Sequence, residues 1–543
     1  MHWKVNVLKS SKSDIIKYIF ILFVVVLAIS TYAIYQKTTS KANEPQEKKE
    51  EEEYNIIKEL RLGIAEFDTI NPLLSDNKNV QQISKLIFDS LITFDENYNF
   101  NYSLAKEISK TNNKEYVIKL KDNVYFQSGE KFTASDVEFT INMLKSNSSI
   151  YSENVKRIDK INVIDDTTLN ITLNGEIPFF EYNLTFPILS KKFYEGEDFK
   201  SSSKNLSPTG TGMYRIDTTS DNVIKLVKNT SYWDINNRNP IIETININLY
   251  KNMGEVYNAF KNGNIDMCDT TLSSVKEYIG TLGYTAATYS TREFDYLVFN
   301  CLGNGALSDK YARRAINYAI NKGEIVKKYY GDNYSESTFP LDYGNWVFSG
   351  SVDNKYSLDD AKRILMDGGW KYSNRRWTKQ INNQTVELSF TITVNTTNKT
   401  DIQVAEEIKN QLSELGVTVK VKQVSKNNYY NYLNKRSGYE AIIVNINTSY
   451  SPNISTYMGE KNTSNYSSNE VNELLKQAYS TGDSKTIKDV YSKIIAIYNT
   501  DVPFIGIARK NNVVVYNTNL VGTTKPTAFN IFSKFQNWYR KNY

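Results

Sequence analysis

The sequence predicts a mixed α/β protein of two or three lobes, preceded by one transmembrane helix. The chain has 543 residues, whereas a single hydrophobic core stops growing at roughly 250–300 residues. Helical and strand-like apolar patterns alternate from residue 54 to the end, as expected when α and β elements pack in the same lobes. The only long apolar stretch spans residues 18–36. These three observations define the predicted architecture.

Residues 18–36 are predicted to form the transmembrane helix. The 19 residues between Lys17 and Lys37 carry no charge, and an α-helix needs about 20 residues to cross the hydrocarbon core. Four lysines lie within residues 1–17, so the positive-inside rule places this segment in the cytoplasm and the rest of the chain outside. We therefore expect a single-pass protein of the cell membrane with a large extracellular domain.

A cleaved signal peptide is the alternative interpretation of this stretch. Thr31, Tyr32 and Ala33 form a site that a signal peptidase could cut. The apolar run is longer than the roughly 7–15 residues of a signal-peptide core, which favours a retained anchor. Residues 37–53 end in four consecutive glutamates and are expected to form a charged, extended linker that holds the body away from the membrane.

The first predicted elements of the body are strands with one helix between them. The run EYVIKLKDNVYF alternates apolar and polar residues, which is typical of a half-buried strand. Thr133 and Asp136 form a capping box at the start of a helix. The run INVIDDTTLNITL predicts two strands that turn at Asp165 and Asp166, and TININLY predicts one more.

Two helices and a strand are predicted further along the chain. Ser357 and Asp360 form a second capping box, and Gly368 marks the end of that helix. Residues 401–416 carry one apolar stripe at helical spacing and end in glycine, and the run VTVKVKQV that follows alternates strictly. This pattern predicts a helix that leads into a half-buried strand.

The body lacks the residues that common catalytic and metal sites need. His2 is the only histidine, so the body holds no base for a Ser–His or Cys–His pair and no imidazole for a zinc or nickel site. Cys268 and Cys301 cannot form a thiolate cage and are expected to be inert thiols, with a single disulfide between them as the alternative. No G-x-x-x-x-G-K-[ST] phosphate loop occurs. We expect no enzymatic activity, no cofactor and no metal.

Two other classes of function receive little support from composition. The formal net charge is +5, of which residues 1–17 contribute +3, so the body is nearly neutral and has no general attraction to nucleic acid. A hydrolase built on two carboxylates would need one specific pair among the 60 acidic residues to face each other. No pattern in the sequence selects such a pair, so this is the least favoured hypothesis.

Several stretches of the sequence, taken in their order along the chain, indicate a relationship to a known protein family. They are residues 120–144 (LKDNVYFQSGEKFTASDVEFTINML), SPTGTGMYRI, NTSYWDINNRNPIIETINI, AFKNGNIDM with Gly263 and Asp266, LVFNCLGNGALSDKYARRAINYAINKGEIV with Asn300, Asp309, Arg313 and Arg314, and the helices SLDDAKRILMDGGW and VAEEIKNQLSELGVTVKV. Their order and spacing resemble extracellular solute-binding protein family 5, which includes the oligopeptide-binding subunits of ABC importers. The resemblance covers residue 60 to about residue 522, and Met213 stands where the family has proline.

The resemblance implies a periplasmic-binding-protein-like α/β fold with two lobes (class II, cluster C) and an inserted third subdomain. The implied bounds are 54–97, 205–285 and 505–543 for lobe I, 98–204 for the inserted subdomain, and 286–504 for lobe II. The lobes would close on an oligopeptide or a related small ligand. The resemblance also implies an ABC permease with ATPase subunits as partners, no cofactor, and a monomeric binding protein.

The resemblance also indicates where the ligand should bind. In the family, a loop resembling G-W-x-A-D-Y-x-x-P supplies an aspartate for the peptide amine, and the nearest stretch here is NINTSYSPNI. When Tyr450 is matched, Ser449 occupies the aspartate position and Ile446 the tryptophan position. The amine-binding carboxylate is therefore missing at this point. The residues expected to contact the ligand are Asn445, Asn447, Ser449 and Tyr450.

Four further residues complete the predicted site. Glu66, beside the first strand, is the candidate for the missing carboxylate, together with its neighbour Phe67. If no acid takes this role, the ligand has no free amine and would be a blocked or cyclic peptide, or a glycan. Tyr343 and Trp346 lie in a loop rich in proline and glycine and are expected to line the cleft, although core packing explains them equally well.

Two functions are consistent with these observations. The first is a membrane-tethered extracellular subunit of an ABC importer, which binds an oligopeptide-like ligand between two lobes. A tether keeps the effective concentration of a binding protein near its permease high. The alternative is a tethered extracellular sensor or interaction protein that uses the same fold without feeding a permease. The missing aspartate at Ser449 and the helical anchor favour this alternative.

Overall fold

The structure is a computed structural model that describes residues 56–280 and 283–542. The predicted cytoplasmic segment, transmembrane helix and linker, residues 1–53, lie outside the described residues. Among the helices that the structure does describe, none has both the length and the apolar character that a membrane crossing requires.

The first long strand of the described chain belongs to a four-stranded sheet with both parallel and antiparallel pairs. Its strands lie in the order Glu59–Ala65, Thr244–Tyr250, Val223–Lys228 and Tyr214–Thr219. The first two strands pair in parallel and the others antiparallel. Leu60, Leu62 and Ile64 are buried while the residues between them are half-buried, because successive side chains of a strand point to opposite faces. The strand predicted from TININLY is confirmed.

An antiparallel sheet follows, with one helix packed into the same core. Its strands lie in the order Ala105–Asn112, Glu115–Leu120, Thr168–Leu173 and Ile158–Asp165, and the helix is Ala134–Ser146. The predicted capping box is confirmed, since the backbone N–H of Thr133 donates to Asp136 Oδ2 at 2.8 Å. The two strands predicted on either side of Asp165 and Asp166 are also confirmed.

A large sheet is organised around two long strands, Tyr284–Phe299 and Phe504–Asn517, which pair with each other. The strand order is Met267–Thr270, Phe504–Asn517, Tyr284–Phe299, Ala441–Asn447, Ser389–Asn395 and Thr418–Val424, and Tyr334–Glu336 adds to Phe504–Asn517. Met267–Thr270 pairs at one end of the long strands, and the strands from residues 389–447 extend the sheet from the other end. The long strands therefore run from one lobe into the other. The predicted lobe bounds at residues 286 and 504 fall close to their starts and stay a prediction.

Helices cover both faces of the large sheet. One face packs against Lys310–Ala319, Leu358–Asp367 and Lys399–Leu415, and the other against Asn469–Ser480 and Ser484–Asp501. The helix predicted after Ser357 is confirmed, because Ser357 Oγ accepts a hydrogen bond from the backbone N–H of Asp360 at 3.2 Å. The helix predicted from residue 401 begins earlier, at Lys399, since the side chain of Asn398 caps it.

Shorter elements complete the described part of the chain. The strands are Ile56–Ile57, Ile92–Phe94, Phe100–Tyr102, Lys371–Ser373, Arg376–Ile381, Gln384–Glu387, Leu520–Val521 and Tyr539–Lys541; the α-helices are Lys78–Ile87, Ser152–Val155, Met253–Lys261, Leu272–Ser274, Lys322–Ile325, Lys426–Lys435 and Ser455–Met458; single 3₁₀ or π turns are Phe180–Asn183, Ser203–Leu206, Val275–Ile279, Ala306–Ser308, Val326–Tyr330, Gly331–Asn333 and Phe535–Asn537. Ile56–Ile57 pairs with Tyr539–Lys541, so the two ends of the described chain meet.

The glycines of the SPTGTGMYRI stretch allow a close backbone contact. The backbone N–H of Gly212 donates to the carbonyl oxygen of Ile87, the last residue of the helix Lys78–Ile87, at 2.8 Å. A Cβ atom on Gly210 would lie 2.1 Å from that same oxygen, and one on Gly212 would lie 2.6 Å from the Ile87 carbonyl carbon. Only glycine fits at either position. The stretch therefore fixes the end of a helix whose residues enter the candidate site.

Candidate functional site

A cavity of about 340 Å³ lies between the two lobes, lined by the helix Lys78–Ile87, by residues 150–185, by the two long strands and by residues 447–450. We call it the interlobe cavity. Its aromatic lining residues are Tyr151, Tyr182, Tyr289, Tyr450 and Phe529, and its charged lining residues are Asp76, Lys78, Lys85, Asp269, Arg292 and Glu293. Small-ligand sites are typically concave, with many apolar groups and a few well-placed polar ones. The interlobe cavity has this composition.

Three lining residues enter the cavity because the two long strands change register at this point. Ser290 pairs with Asn511 and Phe294 pairs with Arg509, so residues 291–293 of one strand stand opposite a single residue of the other. Such a bulge bends a strand and redirects its side chains. It places the charged side chains of Arg292 and Glu293 at the boundary between the lobes.

Tyr450 contacts aromatic residues from distant parts of the chain. Its ring centroid lies 5.7 Å from that of Tyr98 and 5.5 Å from those of Phe94 and Phe529. The guanidinium of Arg292 lies over the Tyr450 ring, 4.8 Å from its centroid. Aromatic pairs of this geometry each add about 0.5–1.5 kcal/mol beyond burial of area. The contacts join the loop that carries Tyr450 to the opposite wall of the cavity.

Glu293 is a carboxylate of the cavity that already pairs with lysines of the protein. Its Oε1 atom lies 3.3 Å from Lys510 Nζ and 3.8 Å from Lys78 Nζ. Both lysines belong to neighbouring elements, so Glu293 already has two cations of the protein beside it. These lysines already neutralise its negative charge, so it attracts a cationic group of a ligand only weakly.

Asp269 and Lys85 have unusual pKa values. Burial raises the pKa of Asp269 to about 7, although the hydroxyl of Tyr289 lies 2.9 Å from both carboxylate oxygens and donates to them. Burial lowers the pKa of Lys85 to about 8, and its ammonium lies 3.9 Å from the centroid of the Phe529 ring. Perturbed pKa values in a cleft are typical of functional sites.

Asn447, Ser449 and Tyr450 are the predicted site residues that line the interlobe cavity. Ser449 Oγ accepts a hydrogen bond from the backbone N–H of Ser451 at 3.0 Å, so this hydroxyl also shapes the loop. Tyr343 lies against the same loop, and its hydroxyl donates to the carbonyl oxygen of Ser449 at 3.0 Å. The structure therefore brings these predicted residues together.

Trp346 and Asn445 lie close to the cavity without lining it. Trp346 Nε1 donates to the hydroxyl of Tyr182, a wall residue, at 2.8 Å. Trp346 and Tyr182 also line a neighbouring cavity of about 590 Å³, whose other walls come from residues 99–116 and 479–487. The side chain of Asn445 contacts the buried carboxylate of Asp295 instead. A ligand role for either residue stays a prediction.

Glu66 and Phe67 lie outside the set of residues that line the interlobe cavity. Glu66 is exposed and adopts a φ of 54°. Its backbone N–H donates to the carbonyl oxygen of Tyr250 at 3.1 Å, and its own carbonyl accepts from Asn77 Nδ2 at 3.1 Å. Phe67 is half-buried against the core. The structure does not bring these two residues together with Ser449, and their ligand role also stays a prediction.

Sequence reasoning missed the charged wall residues Lys85, Asp269 and Arg292. One signal was present, because Arg292 and Glu293 interrupt a run that reads as one long strand. A second was Asp269, an acid inside the short strand Met267–Thr270. Neither signal says which residues from distant segments meet, so the site could not be assembled from the sequence alone.

The sulfur and metal chemistry of the described residues is simple. Cys268 and Cys301 are free thiols, and burial raises the pKa of both. Within residues 56–280 and 283–542, no group of three or more histidine, cysteine, aspartate or glutamate side chains is arranged to hold a metal ion.

Two lobes joined by long strands, with a charged and aromatic cavity between them, define a solute-binding protein. The family model for bacterial extracellular solute-binding proteins, family 5, matches residues 99–499. The match covers well over half of the chain, so the chain belongs to this family. Its role is to bind a solute, and it is not an enzyme.

Relatives and solved structures support the fold. The chain is 23% identical over 482 residues to the oligopeptide-binding protein AppA of Bacillus subtilis, which covers 85% of this chain and 87% of AppA. It is 22% identical over 444 residues to the nickel-binding protein NikA of Staphylococcus aureus, covering 80% and 85%. Its structure matches HbpA2 from Haemophilus parasuis with a TM-score of 0.73 at 18% identity, covering 89% of this chain and 100% of HbpA2. The two-lobe mixed α/β fold is confirmed.

Proposed function

We propose that this protein is the membrane-tethered, extracellular solute-binding subunit of an ABC importer and that it binds an oligopeptide in the interlobe cavity. The composition of the cavity carries the proposal. Side chains with amide groups, Asn183 and Asn447, line it and make no side-chain hydrogen bond within the described part of the chain. An amide side chain offers both a donor and an acceptor, which a peptide backbone needs.

The ligands of the relatives are chemically diverse, so the class of ligand needs its own argument. AppA is named for oligopeptides and NikA for nickel. Residues 56–280 and 283–542 contain no histidine and no cluster of three or more cysteine or carboxylate side chains arranged to hold a metal ion, which supports a peptide over a nickel ion bound by side chains. The paired polar and aromatic walls of the cavity suit a zwitterionic chain with mixed side chains.

The proposed partners follow from the proposed role. A binding protein of this kind delivers its ligand to a permease driven by ATPase subunits, and it acts as a monomer. Residues 18–36 would hold it at the cell membrane, with the charged residues 37–53 as a spacer. The tether raises the effective concentration of the binding protein at its permease.

Thermal unfolding of the full-length chain in mild detergent tests this proposal. A ligand present at 100 times its dissociation constant adds about 2.7 kcal/mol of stability. We expect a pool of short peptides to raise the melting temperature by several degrees, because the ligand bridges both lobes. Nickel with histidine, added at the same concentration, is expected to leave it unchanged.

A melting temperature that no peptide pool raises would contradict the importer role. It would favour the alternative, a tethered extracellular sensor or interaction protein with the same fold. A rise caused by nickel with histidine alone would retain solute binding but reject the peptide as the ligand.

A further inference from the structure

The interlobe cavity holds a carboxylate, Asp269, that forms no ion pair with any residue that the structure describes, although the charge of Lys78 acts on it from a greater distance. Asp269 is half-buried in the strand Met267–Thr270, and among the described residues its carboxylate accepts a side-chain hydrogen bond from the hydroxyl of Tyr289 alone, at 2.9 Å. Asn512 Nδ2 in turn donates to that hydroxyl at 3.2 Å, which orients the Tyr289 proton toward Asp269. Within residues 56–280 and 283–542, Asp269 forms no ion pair.

Lys85 is a cation of the cavity that, like Asp269, has no ion-pair partner among the described residues. It lies in the last turn of the helix Lys78–Ile87, and its ammonium stands over the ring of Phe529 at 3.9 Å. In the described part of the chain, no carboxylate lies within ion-pair distance of it. A cation over an aromatic face keeps part of its electrostatic stabilisation, but none of the residues that the structure describes accepts a hydrogen bond from its three N–H donors.

Glu293, unlike Asp269 and Lys85, forms ion pairs within the protein. Glu293 has Lys510 at 3.3 Å and Lys78 at 3.8 Å. Removing a charge from water without a partner is costly, and a charged ligand group can provide the missing partner. Asp76 and Arg292 also line the cavity without an ion pair among the described residues, but Asp76 is exposed to solvent, and Arg292 donates to the carbonyl oxygen of Thr448 and lies over the Tyr450 ring. Asp269 and Lys85 are therefore the pair of opposite charges that we assign to the ligand.

We propose that Asp269 binds the ammonium group of the ligand and that Lys85 binds its carboxylate, so that the cavity takes short peptides with both termini free, in one direction. This inference rests on the proposed function of the same cavity. Asp269 would supply the amine-binding carboxylate from lobe I, while Ser449, on the facing loop of lobe II, carries no charge. A volume of about 340 Å³ lies near the lower end of the range for small-ligand pockets, which suits a peptide of few residues.

A substitution series on the full-length chain in mild detergent tests the assignment. The probe is a pool of random tetrapeptides with free termini, compared with the same pool N-acetylated and the same pool C-amidated. The readout is the pool concentration that gives half of the maximal rise in melting temperature. Asp269→Asn should increase this concentration about ten- to hundredfold for the free pool and leave it unchanged for the N-acetylated pool, since a charged hydrogen bond is lost only with the free amine.

Lys85→Met should show the reciprocal pattern. It should weaken the free pool about tenfold or more and leave the C-amidated pool unchanged. Asp367→Asn is the matched control, because Asp367 is an exposed acid at the end of the helix Leu358–Asp367, outside the cavity. Asp269→Asn without peptide should melt no lower than the wild type, which shows that the variant folds.

The pH dependence provides a second readout that a purely structural role would not change. Asp269 has a pKa of about 7 without ligand, so it loses its charge as the pH falls below 7, while a peptide amine and Lys85 stay protonated. Among the described residues, the titratable groups that act on Asp269 are Lys78, Tyr289, Tyr516 and the thiol of its neighbour Cys268. Binding of the free pool should weaken from about pH 7.5 to about pH 5.5 in the wild type and stay flat in Asp269→Asn.

Three outcomes would decide against parts of this account. If the wild type binds the free pool and Asp269→Asn binds it equally well, the assignment of Asp269 is wrong while the proposed function holds. If the wild type binds the N-acetylated pool as tightly as the free pool, the cavity does not recognise the amine. If the wild type binds no pool, the proposed function fails, and the assignment fails with it.

Discussion

Replacement of Asp266 by alanine is expected to lower the free energy of unfolding by about 3–5 kcal/mol, the typical cost of leaving a buried charge without its partner. Asp266 is fully buried. Its Oδ1 atom lies 2.7 Å from Arg61 Nη2 and 3.1 Å from Arg540 Nε, and its Oδ2 atom accepts a hydrogen bond from the backbone N–H of Arg61 at 2.7 Å. Arg540 is itself 8% exposed, so it cannot turn to water when the carboxylate is removed.

The position of Asp266 explains why the expected effect is large. Arg61 lies in the strand Glu59–Ala65, Asp266 follows the helix Met253–Lys261, and Arg540 lies in Tyr539–Lys541. One carboxylate thus joins three segments that are far apart in sequence.

Denaturant unfolding of the wild type, Asp266→Ala and Asp217→Ala measures this effect. Asp217 forms ion pairs at the surface, 3.7 Å from Arg215 and 3.4 Å from Lys225. Exposed pairs of this type contribute about 0–1 kcal/mol, so Asp217→Ala should change the midpoint little. Equal midpoints for Asp266→Ala and Asp217→Ala would show that the buried network does not stabilise the fold. If Asp266→Ala does not accumulate in folded form, Asp266→Asn, which keeps the volume, replaces it in the series.

Asp401→Asn is expected to stabilise the protein at pH 8 by roughly 2–4 kcal/mol and to have little effect near pH 4. Asp401 is buried in the first turn of the helix Lys399–Leu415, and its Oδ1 atom has no hydrogen-bond partner among the described residues. Burial first, and then the charge of Asp295, raise the pKa of Asp401 to about 7. Burial also raises the pKa of Asp295 to about 7.

The sign of the pH dependence follows from these values. An unfolded aspartate has a pKa of about 3.9, whereas Asp401 in the folded protein has a pKa of about 7. Between these values the folded state binds the extra proton, so the free energy of unfolding falls as the pH rises through this window. The destabilisation is complete above about pH 7 and disappears below about pH 4. Asparagine cannot ionise, so the variant avoids the cost, and it loses less than about 1 kcal/mol of helix-dipole stabilisation.

Urea midpoints at pH 8 and pH 4 measure this prediction. The control is Asp359→Asn, which also replaces an acid in the first turn of a helix, Leu358–Asp367. The side chain of Asp359 is 98% exposed, so its substitution should not give a gain that depends on pH. A destabilisation of Asp401→Asn of the same size at both pH values would contradict the account, because it would mean that the carboxylate is needed for packing and carries no ionisation cost.

The local structure could be predicted from the sequence because it depends on neighbouring residues. The capping residues Thr133 and Ser357 start helices where they were expected. The alternating run TININLY forms the strand Thr244–Tyr250. Capping and alternation each act over a few residues, so one sequence contains enough information to find them.

The residues of the family motifs stabilise the fold. Arg313 is buried, and its guanidinium donates to the carbonyl oxygens of Leu307, Ser308, Asp501 and Val502. Asp266 joins the segments of lobe I, and Gly210 lets two backbones approach closely. The motifs therefore identify the family and its fold. They say little about which solute the cavity binds.

The site could be predicted only in part. Asn447, Ser449 and Tyr450 were found through one loop, and they line the cavity. Asp269, Lys85 and Arg292 meet them only because a strand bulge, a helix end and a second lobe converge. This convergence depends on the tertiary fold, which a single sequence without an assembled structure does not provide.

Native mass spectrometry tests the central claim, peptide binding in the interlobe cavity, most directly. The full-length chain would be purified in mild detergent from cells grown in a peptide-rich medium and measured before and after partial unfolding. We expect a spread of bound masses that correspond to short peptides and that are released when the protein unfolds. A protein without bound mass that no peptide pool stabilises, or one carrying a single non-peptide mass, would contradict the account.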